Sequence, residues 1–256
     1  MAVIAIGDIH GNLRALDDLL RQVTPEVGRD DTIVFLGDYI DRGPDSRGCI
    51  ERILDLQRTC DAKVVALLGN HKQWLLQTWR DYTRHSWILG MEAVPTIQSY
   101  APDAAARLLE QIDKLGARII LDHLRLPYEL FFEAVPQRHF TFWSSLKPFF
   151  RTAEAVCAHG GLLPDGGPVE TQETEHLLWG ASGFPDGHRG EDRIVYGHWD
   201  NAVLDKRGLA APSDRGTYLR LGHNRTWCTD RTSTARWRGL PEQALAVNHL
   251  IYRRSD

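Results

Sequence analysis

The stretch Ala2-Val3-Ile4-Ala5-Ile6-Gly7-Asp8, residues 2–8, places an apolar run directly before a Gly-Asp pair. Residues 32–36 form a second such run before Gly37-Asp38, and residues 63–68 form a third before Gly69-Asn70. Short apolar runs that end at glycine are typical of buried strands. We therefore expect three strands in the first third of the chain, each followed at its carboxyl end by a polar side chain.

Helical patterns separate these predicted strands. Apolar residues recur at helical spacing after the candidate cap Asn12 and again after Ser46; they are Leu13, Leu16, Leu19, Leu20 and Val23, then Ile50, Ile53, Leu54 and Leu56. This βαβαβ order predicts a parallel sheet covered by helices. Open sheets of this kind bind ligands at the carboxyl ends of their strands.

The middle of the chain has a different, aromatic-rich pattern. Helices are predicted over residues 74–82, 104–115, 126–135 and 136–146. We interpret residues 72–150 as a helical insert that packs on itself and on the core, within a single domain spanning residues 1–256. The alternative interpretation is a cap that shapes access of the substrate to the site.

The last part of the chain predicts a second sheet. Residues 153–158 and 193–196 are expected to be strands, a short helix is expected to close at Trp179, and residues 184–191 are expected to be a loop. Short strands are further expected over residues 216–221, 226–229 and 235–238. The second sheet is therefore predicted to be antiparallel or mixed.

Composition narrows the class of protein. The chain has 256 residues, of which 43% are hydrophobic, and a formal net charge of -4, so we expect neither a stable nucleic-acid partner nor a membrane-surface partner. Neither a signal peptide nor a membrane-spanning run is apparent. The cysteines Cys49, Cys60, Cys157 and Cys228 form no CxxC pair, and we interpret them as free thiols. These features favour a cytoplasmic protein.

Five short polar motifs follow predicted strands. They are Gly7-Asp8-Ile9-His10-Gly11, Gly37-Asp38-Tyr39-Ile40-Asp41-Arg42-Gly43, Gly69-Asn70-His71, Ala158-His159-Gly160-Gly161 and Gly197-His198. Together they offer carboxylate, imidazole and amide ligands, which suit divalent ions of intermediate hardness, in numbers sufficient for two ions. A two-metal site of this kind is typical of enzymes that hydrolyse phosphate esters.

The spacing within the motifs indicates separate tasks. Asp8 and His10 lie two residues apart, so both can converge on one ion, and Asp38 can face Asp8 if their strands are neighbours. His71 is adjacent to Asn70 and is better suited to donating a proton to a leaving group than to sharing its ion. Arg42 carries a fork of donors that matches phosphate oxygens.

With these motifs the chain resembles the calcineurin-like metallophosphoesterases, and in particular the bacterial phosphoprotein (Ser/Thr) phosphatase branch. The resemblance spans about residues 3 to 200. It implies an α/β fold, a four-layer α/β/β/α sandwich of two mixed sheets, with a dinuclear metal centre. By motif position it implies metal ligation by Asp8, His10, Asp38, Asn70, His159 and His198, with Asp38 bridging two divalent ions.

The same resemblance implies the catalytic roles. His71 becomes the general acid, oriented by Asp41, and Arg42 binds the phosphoryl oxygens. The family commonly supplies a second phosphate-binding arginine just after the tryptophan matched by Trp179, but here Gly180-Ala181-Ser182 follows, which leaves Arg189 and Arg193 as candidates. Lys72 stands where the family usually has an acidic residue, which is expected to alter the charge around the ligands. The familiar closing Asp-Thr-Gly is not found beyond His198.

The expected function is hydrolysis of phosphate monoesters by attack of a metal-bridging hydroxide, as in Ser/Thr protein phosphatases. The substrate would be a phosphorylated protein or a small phosphoester, and the metal pair would be manganese, with iron, zinc or cobalt as alternatives. A symmetrical diadenosine tetraphosphate hydrolase is the alternative with the same chemistry. Two weaker alternatives are a nuclease or cyclic-nucleotide phosphodiesterase and a non-catalytic metal-bound scaffold; the presence of Asp41 and Arg42 argues against both.

Overall fold

The computed structural model describes residues 2–153, 155–185, 187–190, 192–198, 218–220 and 249–253. In this part of the chain the strands are β1 (Ala2–Ile6), β2 (Thr32–Phe35), β3 (Lys63–Ala66), β4 (Phe149–Arg151), β5 (Val156–Ala158), β6 (Ile194–Tyr196), β7 (Tyr218–Arg220) and β8 (His249–Arg253). They form two sheets, with strand orders β3-β2-β1-β8 and β4-β5-β6-β7.

The first sheet contains the predicted βαβαβ unit. Strand β1 pairs in parallel with β2, and β2 pairs in parallel with β3. Helices α1 (Leu13–Val23) and α2 (Ser46–Thr59) connect them, and the predicted cap is present because the Asn12 side chain accepts a hydrogen bond from the Ala15 backbone. The parallel sheet is confirmed, and β8 adds an antiparallel edge.

Alternation along the strands builds the layers. One face of the first sheet, including Ile4 and Ile33, packs on the helices. The opposite face, including Val34, packs against Cys157 and Val195 of the second sheet. The far side of the second sheet is covered by the segment that includes helix α10 (Thr174–Trp179). The predicted order of helix, sheet, sheet and helix is thereby confirmed.

Helices fill the chain between β3 and β4. They are α3 (Asn70–Arg80), α4 (Ser86–Gly90), α5 (Val94–Tyr100), α6 (Pro102–Leu115), α7 (Arg118–Leu121), α8 (Glu129–Phe132) and α9 (Gln137–Ser145). Their aromatic side chains belong to the same core cluster as helices α1 and α2. Among the contacts, the Phe142 ring lies 5.6 Å from the ring of Tyr39.

The boundaries of this helical region differ from the sequence prediction. Helix α3 begins at Asn70, before residue 72, and residues 126–135 contain only the short helix α8. Phe149 and Phe150 lie in β4, because they alternate between the outer and the inner faces of the second sheet. The side chains of these two adjacent aromatic residues lie on opposite faces, which is typical of a strand, so both residues belong to the second sheet rather than to the insert.

The second sheet is mixed, which was one of the two predicted arrangements. Strand β4 is antiparallel to β5, whereas β6 is parallel to β5 and β7 is parallel to β6. The strands predicted over residues 226–229 and 235–238 lie outside the described residues. So does Cys228, while Cys49, Cys60 and Cys157 are free thiols. Among the described residues, no helix has the length and apolar character needed to cross a membrane.

Candidate metal centre

The carboxyl ends of the strands bring the predicted ligands together. Asp8 follows β1 and Asp38 follows β2, while Asn70 begins the helix after β3. His159 follows β5 and His198 follows β6 in the second sheet. The motifs therefore meet in one largely buried site at the edges of the two sheets, although they are far apart in the sequence.

Asp38 lies at the centre of this site. Its Oδ2 atom is 3.2 Å from Nε2 of His159, 3.8 Å from Nε2 of His10 and 3.9 Å from Nε2 of His71. Asp8 completes the cluster, since its carboxylate oxygens lie 4.0 Å from Nε2 of His10 and 3.8 Å from Nδ1 of His159. The Asp38 carboxylate is thus close to three imidazole rings.

Two overlapping groups in the described part of the chain have the geometry to hold an ion. His10, Asp38 and His71 form the first, and Asp38, His159 and His198 form the second; in each, the ligand atoms lie within 4.8 Å of one another. Asp38 belongs to both groups. The first group contains His71, where motif position had placed Asp8, so an ion held there would be close enough for His71 to act either as a ligand or as a proton donor.

The hydrogen bonds of His159 show that the site fits a cation. Its Nδ1 donates to the Leu36 carbonyl at 3.1 Å, so Nε2 of the neutral ring carries a lone pair. That lone pair faces the Asn70 side-chain oxygen at 3.0 Å and Asp38 at 3.2 Å. In this tautomer three electron-rich atoms converge, and a positive charge between them, from a proton on Nε2 or from a bound divalent ion, would stabilise the arrangement.

The close contacts between carboxylates and imidazole rings also shift the pKa values of His159 and Asp38. Burial alone would lower the pKa of His159, but Asp38 and Asp8 outweigh burial and raise it to about 9. Burial likewise opposes ionisation of Asp38, yet His159, His71 and His10 hold the pKa of Asp38 well below its ordinary value. The protein thus keeps a carboxylate ionised in a buried place, as a metal ligand must be.

His10 is oriented by the backbone. Its Nδ1 donates to the Ile40 carbonyl at 2.9 Å, which leaves Nε2 facing the carboxylates. The backbone N–H of His71 donates to Asp38 at 3.2 Å, and the backbone N–H of His198 donates to Asp8, also at 3.2 Å. Main-chain groups therefore orient these candidate ligands.

Unusual backbone angles concentrate at the site. Positive φ angles occur at His10, Asp38, Asp41, Arg42 and His198, a conformation that L-residues rarely adopt. Such strain persists only where the surrounding structure imposes it, and it clusters at functional sites. Neighbouring glycines allow the close approach, since a Cβ atom on Gly69 would overlap the Asp38 side chain.

His71 and Asp41 form a buried pair beside the ligands. Nδ1 of His71 lies 2.7 Å from Oδ2 of Asp41. Burial lowers the pKa of His71, but Asp38 and Asp41 outweigh it, so that the pKa of His71 is raised. The distance is compatible with the orientation of His71 by Asp41 that the resemblance implied, and the role of His71 as a proton donor stays a prediction.

Arg42 lies near His71, and its charge acts to lower the pKa of His71. Its side chain is 43% exposed, and its Nε lies 3.8 Å from the Glu92 carboxylate. The backbone N–H of Arg42 also donates to the Glu92 carbonyl at 3.1 Å. The guanidinium is thus accessible to an anionic substrate and is held near the insert by Glu92.

The two arginines predicted as alternatives lie elsewhere. Arg193 precedes β6, and its carbonyl accepts from the Val156 backbone at 2.8 Å, so its backbone lies at the end of the strand opposite to His198. Arg189 is exposed in the loop before β6, and its guanidinium donates to the His188 carbonyl at 3.1 Å. These placements do not favour either one as a phosphate ligand.

Lys72 points away from the ligands. It is 2% exposed, and its Nζ donates to the Trp143 carbonyl at 3.3 Å. The expected change in charge around the ligands is therefore weakened, because burial lowers the pKa of Lys72 to about 6.

Sequence reasoning missed the insert residues that reach the site. Trp87 and Thr96 hydrogen-bond the Asp41 carboxylate, and Glu92 pairs with Arg42. Trp179 also borders the site, with its ring 6.0 Å from that of His198. The one available signal was the density of aromatic residues in the insert.

Comparison with known proteins identifies the family. The sequence profile of the calcineurin-like phosphoesterases matches residues 1–223. The symmetrical bis(5'-nucleosyl)-tetraphosphatase of Pseudomonas fluorescens is 36% identical over 84 residues, which is 33% of this chain and 27% of that protein. Serine/threonine-protein phosphatase 1 of Salmonella typhimurium is 34% identical over 87 residues, which is 34% of this chain and 37% of that protein.

The structural comparison is weaker. A protein serine/threonine phosphatase from Saccharomyces cerevisiae aligns with a TM-score of 0.45 and 16% identity, over 89% of this chain and 69% of that one. The matched part of the chain spans less than two fifths of either curated relative named above. Because the family profile covers most of the chain, including all the ligand motifs, the chain belongs to the calcineurin-like phosphoesterase family.

Proposed function

We propose that this chain is a metal-dependent hydrolase of phosphate monoesters, similar to the Ser/Thr protein phosphatases. The observation that carries the proposal is the position of Asp38, which is shared by two candidate ion-binding groups beside an oriented His71–Asp41 pair. Asp8, His10, Asp38, Asn70, His159 and His198 would hold the ions. Two bound ions would supply Lewis acidity toward the phosphate and lower the pKa of a coordinated water.

Three side chains would bind the phosphate and protonate the leaving group. Arg42 would bind the phosphoryl oxygens, since its side chain is partly exposed and its charge acts on His71. His71 would donate the proton on Nε2 to the departing oxygen as the bond from phosphorus to that oxygen breaks. Asp41 would hold Nδ1 of His71, which fixes the ring with Nε2 toward the substrate.

The identity of the metal, the class of substrate and the location are proposed from chemistry and composition rather than from geometry. Nitrogen and oxygen ligands of this type accept manganese, iron, zinc or cobalt, and we propose manganese as the working ion. The net charge of -4 supports a phosphoprotein or small phosphoester as substrate and does not support a nucleic-acid partner. The free thiols support a cytoplasmic location.

Reconstitution tests the proposal. The protein is stripped of metal with a chelator and reloaded with each of the four ions in turn, and phosphate release from a phosphoserine peptide and from p-nitrophenyl phosphate is measured. We expect no release from the stripped protein and restored release with at least one ion. If no ion restores release from either substrate, the proposal is wrong.

The aromatic wall beside His198 favours a second candidate, a symmetrical dinucleoside tetraphosphatase. The Trp179 ring lies 5.1 Å from that of Trp74, and Trp179 Nε1 donates to Gln73 at 2.8 Å, which fixes its orientation. Both rings are half-buried, so they offer a surface on which a nucleobase can stack. A kcat/KM for diadenosine tetraphosphate well above that for the phosphopeptide, and lowered by Trp179→Leu, would favour this candidate.

A further inference from the structure

The Asp41 carboxylate is held mainly by the helical insert. Trp87 Nε1 donates to Oδ2 at 2.9 Å and approaches Oδ1 at 3.2 Å, and Thr96 Oγ1 donates to Oδ1 at 2.7 Å. The remaining contact is with His71 Nδ1, which lies 2.7 Å from Oδ2. All four side chains are almost fully buried, so water does not replace these donors.

Thr96 is itself fixed by hydrogen bonds. Its hydroxyl donates to Asp41 Oδ1 and accepts from the Asp41 backbone N–H, both at 2.7 Å. The Ser46 hydroxyl, at the start of α2, lies 2.8 Å from the same oxygen and completes its set of partners. The insert, α2 and the turn after β2 are therefore joined at one hydroxyl group.

The hydrogen bonds to Asp41 are distributed over both oxygens of its carboxylate. Thr96 engages Oδ1, His71 engages Oδ2, and Trp87 lies against both, so rotation of the carboxylate would break at least two buried hydrogen bonds. A buried donor left without its partner is unfavourable, because no water replaces the lost acceptor. The carboxylate is consequently restrained in the orientation that suits the imidazole of His71.

We propose that Trp87 and Thr96 are positioning residues of the catalytic site, which act through Asp41 to hold His71 in the orientation that protonates the leaving group. The inference rests on the function proposed above. Neither residue touches the candidate ligands, so their loss would affect proton donation and leave binding of the ions and of the phosphate in place. The insert is thus an essential part of the catalytic apparatus.

The test compares how each substitution affects kcat on substrates with different leaving groups. An alkoxide needs a proton as it departs, whereas p-nitrophenolate leaves as a stable anion and does not. Thr96→Val and Trp87→Phe remove the donors while keeping similar shapes, and Thr96→Ser retains the hydroxyl. Thr78→Val is the matched control, because the Thr78 hydroxyl is equally buried in the insert but donates to the Arg84 carbonyl.

We expect kcat on a phosphoserine peptide to fall at least about tenfold in Thr96→Val and Trp87→Phe, a part of the roughly 10²–10⁴-fold that general acids contribute. KM for the peptide and kcat on p-nitrophenyl phosphate should change less than about threefold. Thr96→Ser and Thr78→Val should behave like the unaltered protein. Equal losses on both substrates, or no loss on either, would overturn the inference; if Thr96→Val does not fold, Trp87→Phe decides.

A second measurement separates this inference from the proposed function. In zinc-loaded protein with 15N-labelled histidine, the Nδ1 proton of His71 should give a resonance far downfield, assigned by its absence in His71→Asn. We expect it to be lost by exchange with water in Thr96→Val and Trp87→Phe and kept in Thr78→Val. If the unaltered protein hydrolyses neither substrate, the function is wrong, and an unchanged resonance in both variants then also refutes the positioning role.

Discussion

Nε2 of His159 lies 3.2 Å from Oδ2 of Asp38, so the second sheet and the first sheet meet at a single carboxylate. The two residues follow strands of different sheets, and both are almost fully buried. The contact has no covalent or local cause, and it depends on the packing of Val34 against Cys157 and Val195 between the sheets. The formation of the candidate metal centre is therefore coupled to the formation of the core.

Asp38→Asn is expected to lower the occupancy of both ions. The substitution removes one negative charge from a carboxylate that belongs to both candidate groups. Elemental analysis after dialysis measures the result, with the exposed Asp113→Asn as the control for handling. Two ions per chain in the Asp38 variant would refute the bridging role.

His71→Asn is expected to lower kcat on a phosphoserine peptide by roughly 10²–10⁴-fold, the usual contribution of a general acid. The two ions should remain bound, because His71 is proposed as a donor to the leaving group and not as a ligand. Loss of one ion in the variant would reassign His71 to the first metal group. The exposed His123→Asn serves as the matched control and should retain full activity.

The sequence was sufficient to predict that the candidate ligands lie together at the carboxyl ends of the strands, because Asp8, Asp38, Asn70 and His198 each follow an apolar run that ends at glycine, and His159 follows one that ends at Ala158. Asp8 and Asp38 are adjacent in space simply because β1 and β2 pair in parallel. Their roles as ligands remain predictions. The length of the first helix also followed from the sequence, since its leucines are periodic and Asn12 caps it.

The contacts of the insert could not be predicted in this way. Trp87 and Thr96 lie on α4 and α5, short helices in which the intrinsic signal is weak. Their partner Asp41 is distant in the sequence, and only tertiary packing brings them together. Residues 126–135 contain a predicted helical piece, but it is limited to Glu129–Phe132, and the buried Phe131 and Phe132 lie within it.

Glu92→Gln is expected to lower KM for a phosphomonoester by up to about fivefold, since an exposed ion pair is worth up to about 1 kcal/mol. The Glu92 carboxylate lies 3.8 Å from the Arg42 guanidinium and competes with phosphate for it. Steady-state kinetics at low salt measure the change, and the exposed Glu110→Gln is the control. A raised KM would show instead that Glu92 orients Arg42 productively.

Lys72→Met is expected to stabilise the protein by at least about 1 kcal/mol at pH 7, because it removes a buried polar group. Burial lowers the pKa of Lys72 from 10.5 to about 6, so between these values the unfolded chain binds a proton that the folded chain does not. Stability of the unaltered protein therefore rises with pH through this window, at up to about 1.4 kcal/mol per unit for one proton.

Urea unfolding at pH 7 and pH 9 tests this prediction. The advantage of the Lys72→Met variant should shrink at the higher pH, because the proton that Lys72 releases on folding is given up at a lower cost in free energy as pH rises toward 10.5. The exposed Lys114→Met should show neither the gain nor the change with pH. An advantage that is equal at both values would mean that Lys72 is charged in the folded protein.

His139 is expected to make the protein less stable in weak acid. Its Nδ1 accepts from the Tyr100 hydroxyl at 2.7 Å, its Nε2 lies 3.0 Å from the Glu51 carboxylate, and the ring is fully buried. Burial lowers the pKa of His139 below its ordinary value of 6.5, despite the opposing effect of Glu51. As pH falls through 6.5, the unfolded chain takes up a proton before the folded chain does, so the free energy of unfolding decreases.

The difference between the free energies of unfolding at pH 7.5 and pH 5.5, measured in urea, should be smaller in His139→Gln than in the unaltered protein by about 0.5–1 kcal/mol. The exposed His123→Gln should leave that difference unchanged. Glu51 acts in the same direction at lower pH, since the Arg138 side chain lowers the pKa of Glu51 through a hydrogen bond. An unaltered pH dependence in His139→Gln would mean that the pKa of His139 is the same in the folded and the unfolded chain, and a larger difference in the variant would mean that Glu51 holds the ring protonated in the folded state.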